Sequence, residues 1–143
     1  MAIKMLSAYY NAESDADELF KDFKIGKTKS YKKHLNQYDV IHVDMAEMWS
    51  NVGKNEERFL STFNKTILEE LQNEYSMVDI SECSTIAMAL SQISHVCKAQ
   101  FVVIIDEWDT VFREAKQNKK LQDEYISLLR ALFKGESSKR FIA

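Results

Sequence analysis

Five consecutive apolar residues, Phe101-Val102-Val103-Ile104-Ile105, run without a break into Asp106-Glu107. Such a run, mostly β-branched, suits a parallel strand covered on both faces better than one with a wet side. A second compact run, Val40-Ile41-His42-Val43, ends at Asp44 and reads as another strand. Between and after them the period changes to three and four. From Glu56 to Tyr75 the apolar positions are Phe59, Leu60, Phe63, Ile67, Leu68, Leu71 and Tyr75, the stripe of a long amphipathic helix. A helix over 84–98 carries Ile86, Leu90, Ile93 and Cys97 on one side. A last helix over 119–134 carries Leu121, Tyr125, Leu128, Leu129 and Leu132, with Gly135 placed to stop it. Strands separated by long helices imply parallel pairing through right-handed crossovers. The expected fold class is therefore α/β, a partial three-layer parallel sheet with flanking helices.

The amino-terminal third is less periodic. Ile3, Leu6 and Tyr10 share a face of a short helix. Ser14 with Asp17 resembles a helix cap, and Leu19, Phe20 and Phe23 are expected as the buried side of a second short helix. Residues 24–37 are polar and basic and read as a loop with one helical turn. At the other end, Arg140-Phe141-Ile142-Ala143 begins what reads as a further strand. No internal repeat or linker divides the chain, so residues 1–143 are expected to form a single domain, and an incomplete one.

Composition narrows the function classes. At 45% hydrophobic and 29% charged, with eight Phe and six Tyr, the chain can build a real core and is not a disordered segment. A formal net charge of -3 argues against a generic polyanion binder. No apolar run approaches the roughly 18 residues of a membrane span, and the start has no secretory-signal pattern. Cys83 and Cys97 lie about four helical turns apart, in or beside one expected helix, and lack zinc-site spacing. Reduced thiols and a cytoplasmic home, with no membrane partner, are the expectation. Proline is absent and glycine occurs only three times, which matters because phosphate loops need glycine.

Two adjacent carboxylates at the carboxyl end of a buried parallel strand face the ligand crevice of an open α/β sheet. Asp106 there suits a hydrated Mg²⁺, which favours hard oxygen ligands. Glu107 beside it has the chemistry of a general base toward a bound water. Side chains alternate along a strand, but where the chain turns away after its last residue both can reach the crevice. Such acids also cap the next helix or simply meet solvent.

Ile104-Ile105-Asp106-Glu107-Trp108-Asp109-Thr110 resembles the strand signature of the bacterial AAA-ATPase-like family, with Trp108 in place of the usual Tyr. The resemblance extends to Lys4-Met5-Leu6-Ser7-Ala8-Tyr9-Tyr10, which looks like the helix after the family's phosphate loop. It extends also to Asp17-Glu18-Leu19-Phe20 and to Tyr38-Asp39-Val40-Ile41-His42-Val43-Asp44-Met45. Leu128-Leu129-Arg130-Ala131-Leu132-Phe133-Lys134 and Phe141-Ile142-Ala143 are similar to the helix and strand after the acidic motif. The resemblance implies a P-loop NTPase-like sheet lacking the Walker A strand and loop, which belong just before Met1, and lacking a C-terminal portion that is often nuclease-like. It implies ATP and Mg²⁺ as cofactors of the complete domain, with Asp106 on the metal and Glu107 catalytic in a Walker B motif.

Gly26-Lys27-Thr28 spells the end of a Walker A motif, but Lys21 stands where the first glycine is needed and the preceding residues read as helix. Lys27, Lys29, Lys32, Lys33 and His34, with Tyr31 among them, form a basic patch that either meets nucleic-acid phosphates or is a solvated loop. His42 is expected as a buried, hydrogen-bonded imidazole and His95 at the surface. Asp44 either turns the chain or joins the magnesium site. Asp109 either caps the next segment or helps fix the acidic pair. Arg113 either contacts phosphate or pairs around Glu114. The expected function is thus that of a fragment of an AAA-ATPase-like domain, binding and hydrolysing ATP only when complete. The alternative is a non-catalytic module for protein or nucleic-acid interaction, or self-association.

Overall fold

The computed structural model describes residues 2–134 and 138–142. Helix α1 (Ala2–Tyr10) is followed by α2 (Asp17–Phe20), a 3₁₀ turn at Ile25–Lys27 and α3 (Tyr31–His34). Strand β1 (Asp39–Asp44) leads into α4 (Met45–Asn51), α5 (Phe59–Glu74) and α6 (Ile86–Cys97). Strand β2 (Phe101–Asp106) leads into α7 (Thr110–Glu114), α8 (Lys119–Phe133) and α9 (Ser138–Phe141). The two strands pair in parallel, from Asp39 opposite Phe101 to Asp44 opposite Asp106. The molecule is a mixed α/β fold with a small open parallel sheet and flanking helices.

Register sorts the strand side chains into two faces. Ile41, Val43, Val103 and Ile105 share one and meet Phe63 and Ile67 of α5, Ile86 and Leu90 of α6, and Leu132 of α8. Phe59, Phe63, Ile67 and Leu71 are buried along α5, as the three-and-four spacing requires. Val40, Val102 and Ile104 take the other face and are only half-buried, while His42 is exposed. The expectation of a strand covered on both faces therefore holds for one face alone. The His42 expectation is overturned: its strand position turns the imidazole toward solvent. His95 is exposed as expected.

The carboxyl end corrects another expectation. Arg140 and Phe141 lie in the helical turn α9, closed by the Ile142 amide donating to the Ser138 carbonyl at 2.9 Å. Phe141 is wholly buried in the main core, and that anchor outweighs strand propensity. Ile142 alone makes a parallel bridge, to Phe101. Gly135 and Ala143, to which helix-stop and strand roles fell, lie outside the described residues.

A second, smaller core gathers Tyr9, Ala16, Phe20, Tyr31 and Leu35 from α1, α2 and α3. Leu19 and Phe23 do not join it; they are 62% and 54% exposed, Leu19 on a four-residue helix that buries only Phe20 and Phe23 beyond that helix's end. No side chain caps α2; its N-cap is Ala16, so the Ser14–Asp17 signal marks the place but not the bond. Asn36 performs the stapling there. It sits at φ 54° and donates through Nδ2 to the carbonyls of Ala8 (2.9 Å) and Asn11 (2.7 Å). Its Oδ1 accepts from the Ala16 amide at 3.1 Å. Elsewhere Asn64 and Gln72 of α5 hold the segment leading to α6 in the same way. Tyr75 donates to the Asp39 carboxylate and so ties the end of α5 to the start of β1. Both cysteines are free; burial pushes the Cys83 thiol up, and Cys97 is exposed.

Candidate functional site

Both strands finish at the same level, and the helices that follow them begin beside one another. Asp106 ends β2 half-buried, and its Oδ1 accepts the Glu107 amide at 2.9 Å. Glu107 takes φ 50°, a left-handed conformation that costs a non-glycine residue about 1–2 kcal/mol. It breaks strand alternation one residue past β2, and the Glu107 carbonyl then accepts the Thr110 amide at 2.9 Å to start α7. A strained backbone at a candidate base is the kind of outlier that motivates a functional reading.

Glu107 is exposed but not free. Arg113, one turn into α7, donates Nη2 to its Oε2 at 3.0 Å and Nη1 to Asp109 Oδ1 at 3.2 Å. Arg113 Nη2 also reaches Thr110 Oγ1 at 3.3 Å, and its Nε lies 3.8 Å from Glu114 Oε1. These carboxylates, Glu107 first, raise the guanidinium pKa further. Of the two readings for Arg113, it pairs most closely with Glu107 and Asp109. Asp109 stands at the N-cap of α7 without a side-chain capping bond; its carboxylate goes to Arg113 instead. It therefore helps fix the acidic turn.

The turn is also held from behind. Tyr125 of α8 is wholly buried and donates its hydroxyl to the Trp108 carbonyl at 2.8 Å. Burial, helped by Asp109, pushes this phenol up to about 12. The Trp108 ring, 56% exposed, meets Phe112 edge-on at 6.1 Å, and Phe112 lies 5.9 Å from Tyr125. Tyr125 appears in the sequence only as one member of a helical stripe. Its hydroxyl at a fully buried position is the signal that could have marked it, since a buried phenol seeks a partner.

Asp44 is brought opposite Asp106, but its Oδ1 accepts the amides of Ala46 (2.9 Å) and Glu47 (3.0 Å). It is the N-cap of α4, a turn residue. Among the described residues no group of three or more His, Cys, Asp or Glu side chains is placed to hold a metal ion. Two of the larger concavities lie elsewhere. One of about 930 Å³ runs along α6 past Met88, Gln92 and His95, and one of about 440 Å³ lies by Tyr75 and Glu74. Gly26-Lys27-Thr28 lies on the 3₁₀ turn after α2, with Thr28 Oγ1 bonded to the Ile25 carbonyl at 2.8 Å. That is not a phosphate loop.

The sequence profile of the family described as "Predicted AAA-ATPase" matches residues 1–141. The chain belongs to the AAA-ATPase-like family. Membership of this family implies nucleotide and Mg²⁺ use in general terms. The match spans the acidic turn, the small aromatic core and both strands alike, so the AAA-ATPase-like character belongs to the chain and not to one motif. No curated protein and no solved structure matches it. Among the described residues no helix is long and apolar enough to cross a membrane.

Proposed function

We propose that the acidic turn after β2 is the Walker B end of a nucleotide site, with Asp106 holding Mg²⁺ and Glu107 acting as the base in ATP hydrolysis. The observation that carries this is the left-handed turn at Glu107, directly after Asp106, at the carboxyl end of a parallel strand, with Asp106 half-buried and Glu107 exposed. The donors fit magnesium. Asp106 offers a half-buried carboxylate oxygen beyond the one that takes the Glu107 amide. Mg²⁺ is commonly held by one or two carboxylates, with phosphate and water oxygens completing its shell, so a cage of three protein ligands is not required. When bound, the ion supplies charge neutralisation at the phosphates.

The residues of the chain divide the remaining work. Asp106, with its Oδ1 held by the Glu107 amide, would hold the metal. Glu107 orients a water and accepts its proton, once its carboxylate leaves Arg113. Arg113 and Tyr125 set the turn that presents both acids. On this reading the sheet is part of a P-loop NTPase-like sheet, and the phosphate cradle comes from a glycine-rich loop that residues 1–143 do not contain. The 143 residues alone should turn over ATP at background, since positioning of the phosphates provides most of the catalysis in phosphoryl transfer.

The test uses the protein with such a loop present. Glu107→Gln should keep ATP·Mg²⁺ binding and lower turnover by about 10²–10⁴-fold. Asp106→Ala should lose the Mg²⁺ dependence of nucleotide binding. Wild-type turnover in both variants would sink the assignment, and absence of nucleotide binding would leave the non-catalytic interaction module.

A further inference from the structure

The lysines of residues 21–34 are not used by the acidic turn. This stretch holds six lysines, Lys21, Lys24, Lys27, Lys29, Lys32 and Lys33, against one carboxylate, Asp22. The chain as a whole is net negative at -3, so positive charge is concentrated here. Lys21 pairs with Glu18 at 2.5 Å and Lys32 with Asp17 at 2.6 Å. Lys24, Lys27, Lys29 and Lys33 are exposed and have no carboxylate partner among the described residues.

The segment is built, not loose. Tyr31 is only 3% exposed; its hydroxyl donates to Asp17 Oδ1 at 2.9 Å, and its carbonyl accepts from Tyr9 at 3.0 Å. Gly26 packs against the chain so closely that a Cβ would lie 2.3 Å from the Lys21 carbonyl oxygen. The free ammonium groups therefore stand on a fixed platform, which lowers the ordering cost of binding. Beside them Phe23 and Ile25 are exposed apolar side chains. A lipid surface would favour a continuous amphipathic helix with a broad apolar face. Here the pieces are α2, a 3₁₀ turn and α3, none longer than four residues. Lysines flanking one exposed aromatic ring suit a phosphate backbone with a base stacked on the ring.

We propose that residues 21–34 form a binding site for single-stranded nucleic acid, in which Lys24, Lys27, Lys29 and Lys33 contact phosphates and Phe23 stacks on a base. The inference is independent of ATP hydrolysis. Its test is fluorescence anisotropy of the full 143-residue chain with a labelled oligothymidine of about 20 nucleotides, over roughly 50–200 mM salt. The triple variant Lys27→Glu, Lys29→Glu, Lys33→Glu should weaken binding at least about tenfold and make the salt slope shallower by about 2. A control triple of equal charge change, Lys65→Glu, Lys116→Glu, Lys119→Glu, should shift affinity less than about threefold, since long-range charge effects are screened by salt. Phe23→Ala should weaken the single strand by about tenfold and leave a duplex of equal length unaffected. Circular dichroism of each variant checks that the fold persists. Equal losses in the two triples, or no binding at the lowest salt, would overturn the proposal. So would tighter capture by phosphatidylserine vesicles than by the oligonucleotide, which would assign the platform to a lipid surface.

Discussion

β1 and β2 lie side by side in register and stop on the same residue type, at Asp44 and Asp106. Past Asp44 the chain enters α4 at once, and one carboxylate oxygen, Oδ1, accepts two amides of the first turn. Past Asp106 the chain takes a left-handed step at Glu107, and the amide held is that of the next residue, not of a helix. One aspartate caps a helix; the other, at similar depth in the sheet, holds only the amide of the residue that follows it. Identical residues at equivalent strand ends thus diverge through the backbone of the following residue. The difference also has a cost. The Asp44 end is supported locally, whereas the Asp106 end depends on Arg113 and on Tyr125 from a helix further along the chain.

The sharpest way to break this contrast is activity. In the protein with a phosphate loop, Glu107→Gln is expected to lower turnover by about 10²–10⁴-fold, while Asp44→Ala changes it by less than about threefold. Comparable losses in both would mean that the two ends share one role. Next in size is stability, where the order reverses. Asp44→Ala should cost about 1 kcal/mol in urea unfolding through loss of the α4 cap, and Asp106→Ala clearly less. Equal destabilisation would remove the distinction.

Tyr125→Phe should cost about 1 kcal/mol by orphaning the Trp108 carbonyl, with α4 untouched. The same bond gives a pH signature. The phenol is raised from its ordinary 10 to about 12 in the folded chain. A raised folded value means that its contribution is complete below pH 10 and is lost as pH climbs through about 12. Ultraviolet titration should show this phenol ionising above the ordinary tyrosine value and only with loosening of the β2 turn. The smallest effect is Glu107→Gly. Relief of the left-handed strain is opposed by glycine entropy and by loss of a half-exposed ion pair, so stability should stay level or rise by up to ~1 kcal/mol. A loss above that size would show that the turn is not strained.

The strands and long helices were legible in the sequence because each has a clean period: the α5 stripe of Phe59, Phe63, Ile67 and Leu71 is buried as its spacing requires. The acidic pair was legible because an apolar run delivers it. Three kinds of feature were not. α4 and α7 were missed because helices of seven and five residues carry too few turns to show a period. The turns were hard to see because this chain, with no proline and three glycines, places Asn36, Lys54, Lys98 and Glu107 at positive φ instead. Asn36 looks like any loop asparagine until the carbonyls of Ala8 and Asn11 are seen to converge on it. Residues 140–142 misled because Phe-Ile reads as strand, and only the burial of Phe141 under α6 and α8 shows otherwise.

The separate aromatic core of Tyr9, Ala16, Phe20, Tyr31 and Leu35 gives the molecule two levels of cooperativity. So small a cluster, itself part of a much larger fold, should open as a sub-global unit while the sheet stays folded. Amide hydrogen exchange should then be fastest in α1 to α3, and trypsin should nick first after Lys24, Lys27 or Lys29. Acid should favour that opening, because hydrogen bonds from Lys32 and Tyr31 hold the Asp17 carboxyl below its usual range. Their contribution is present above the unfolded carboxylate value and is surrendered as pH falls through the folded one. The lysine-bearing segment would then detach under acid stress before the two-stranded sheet feels it.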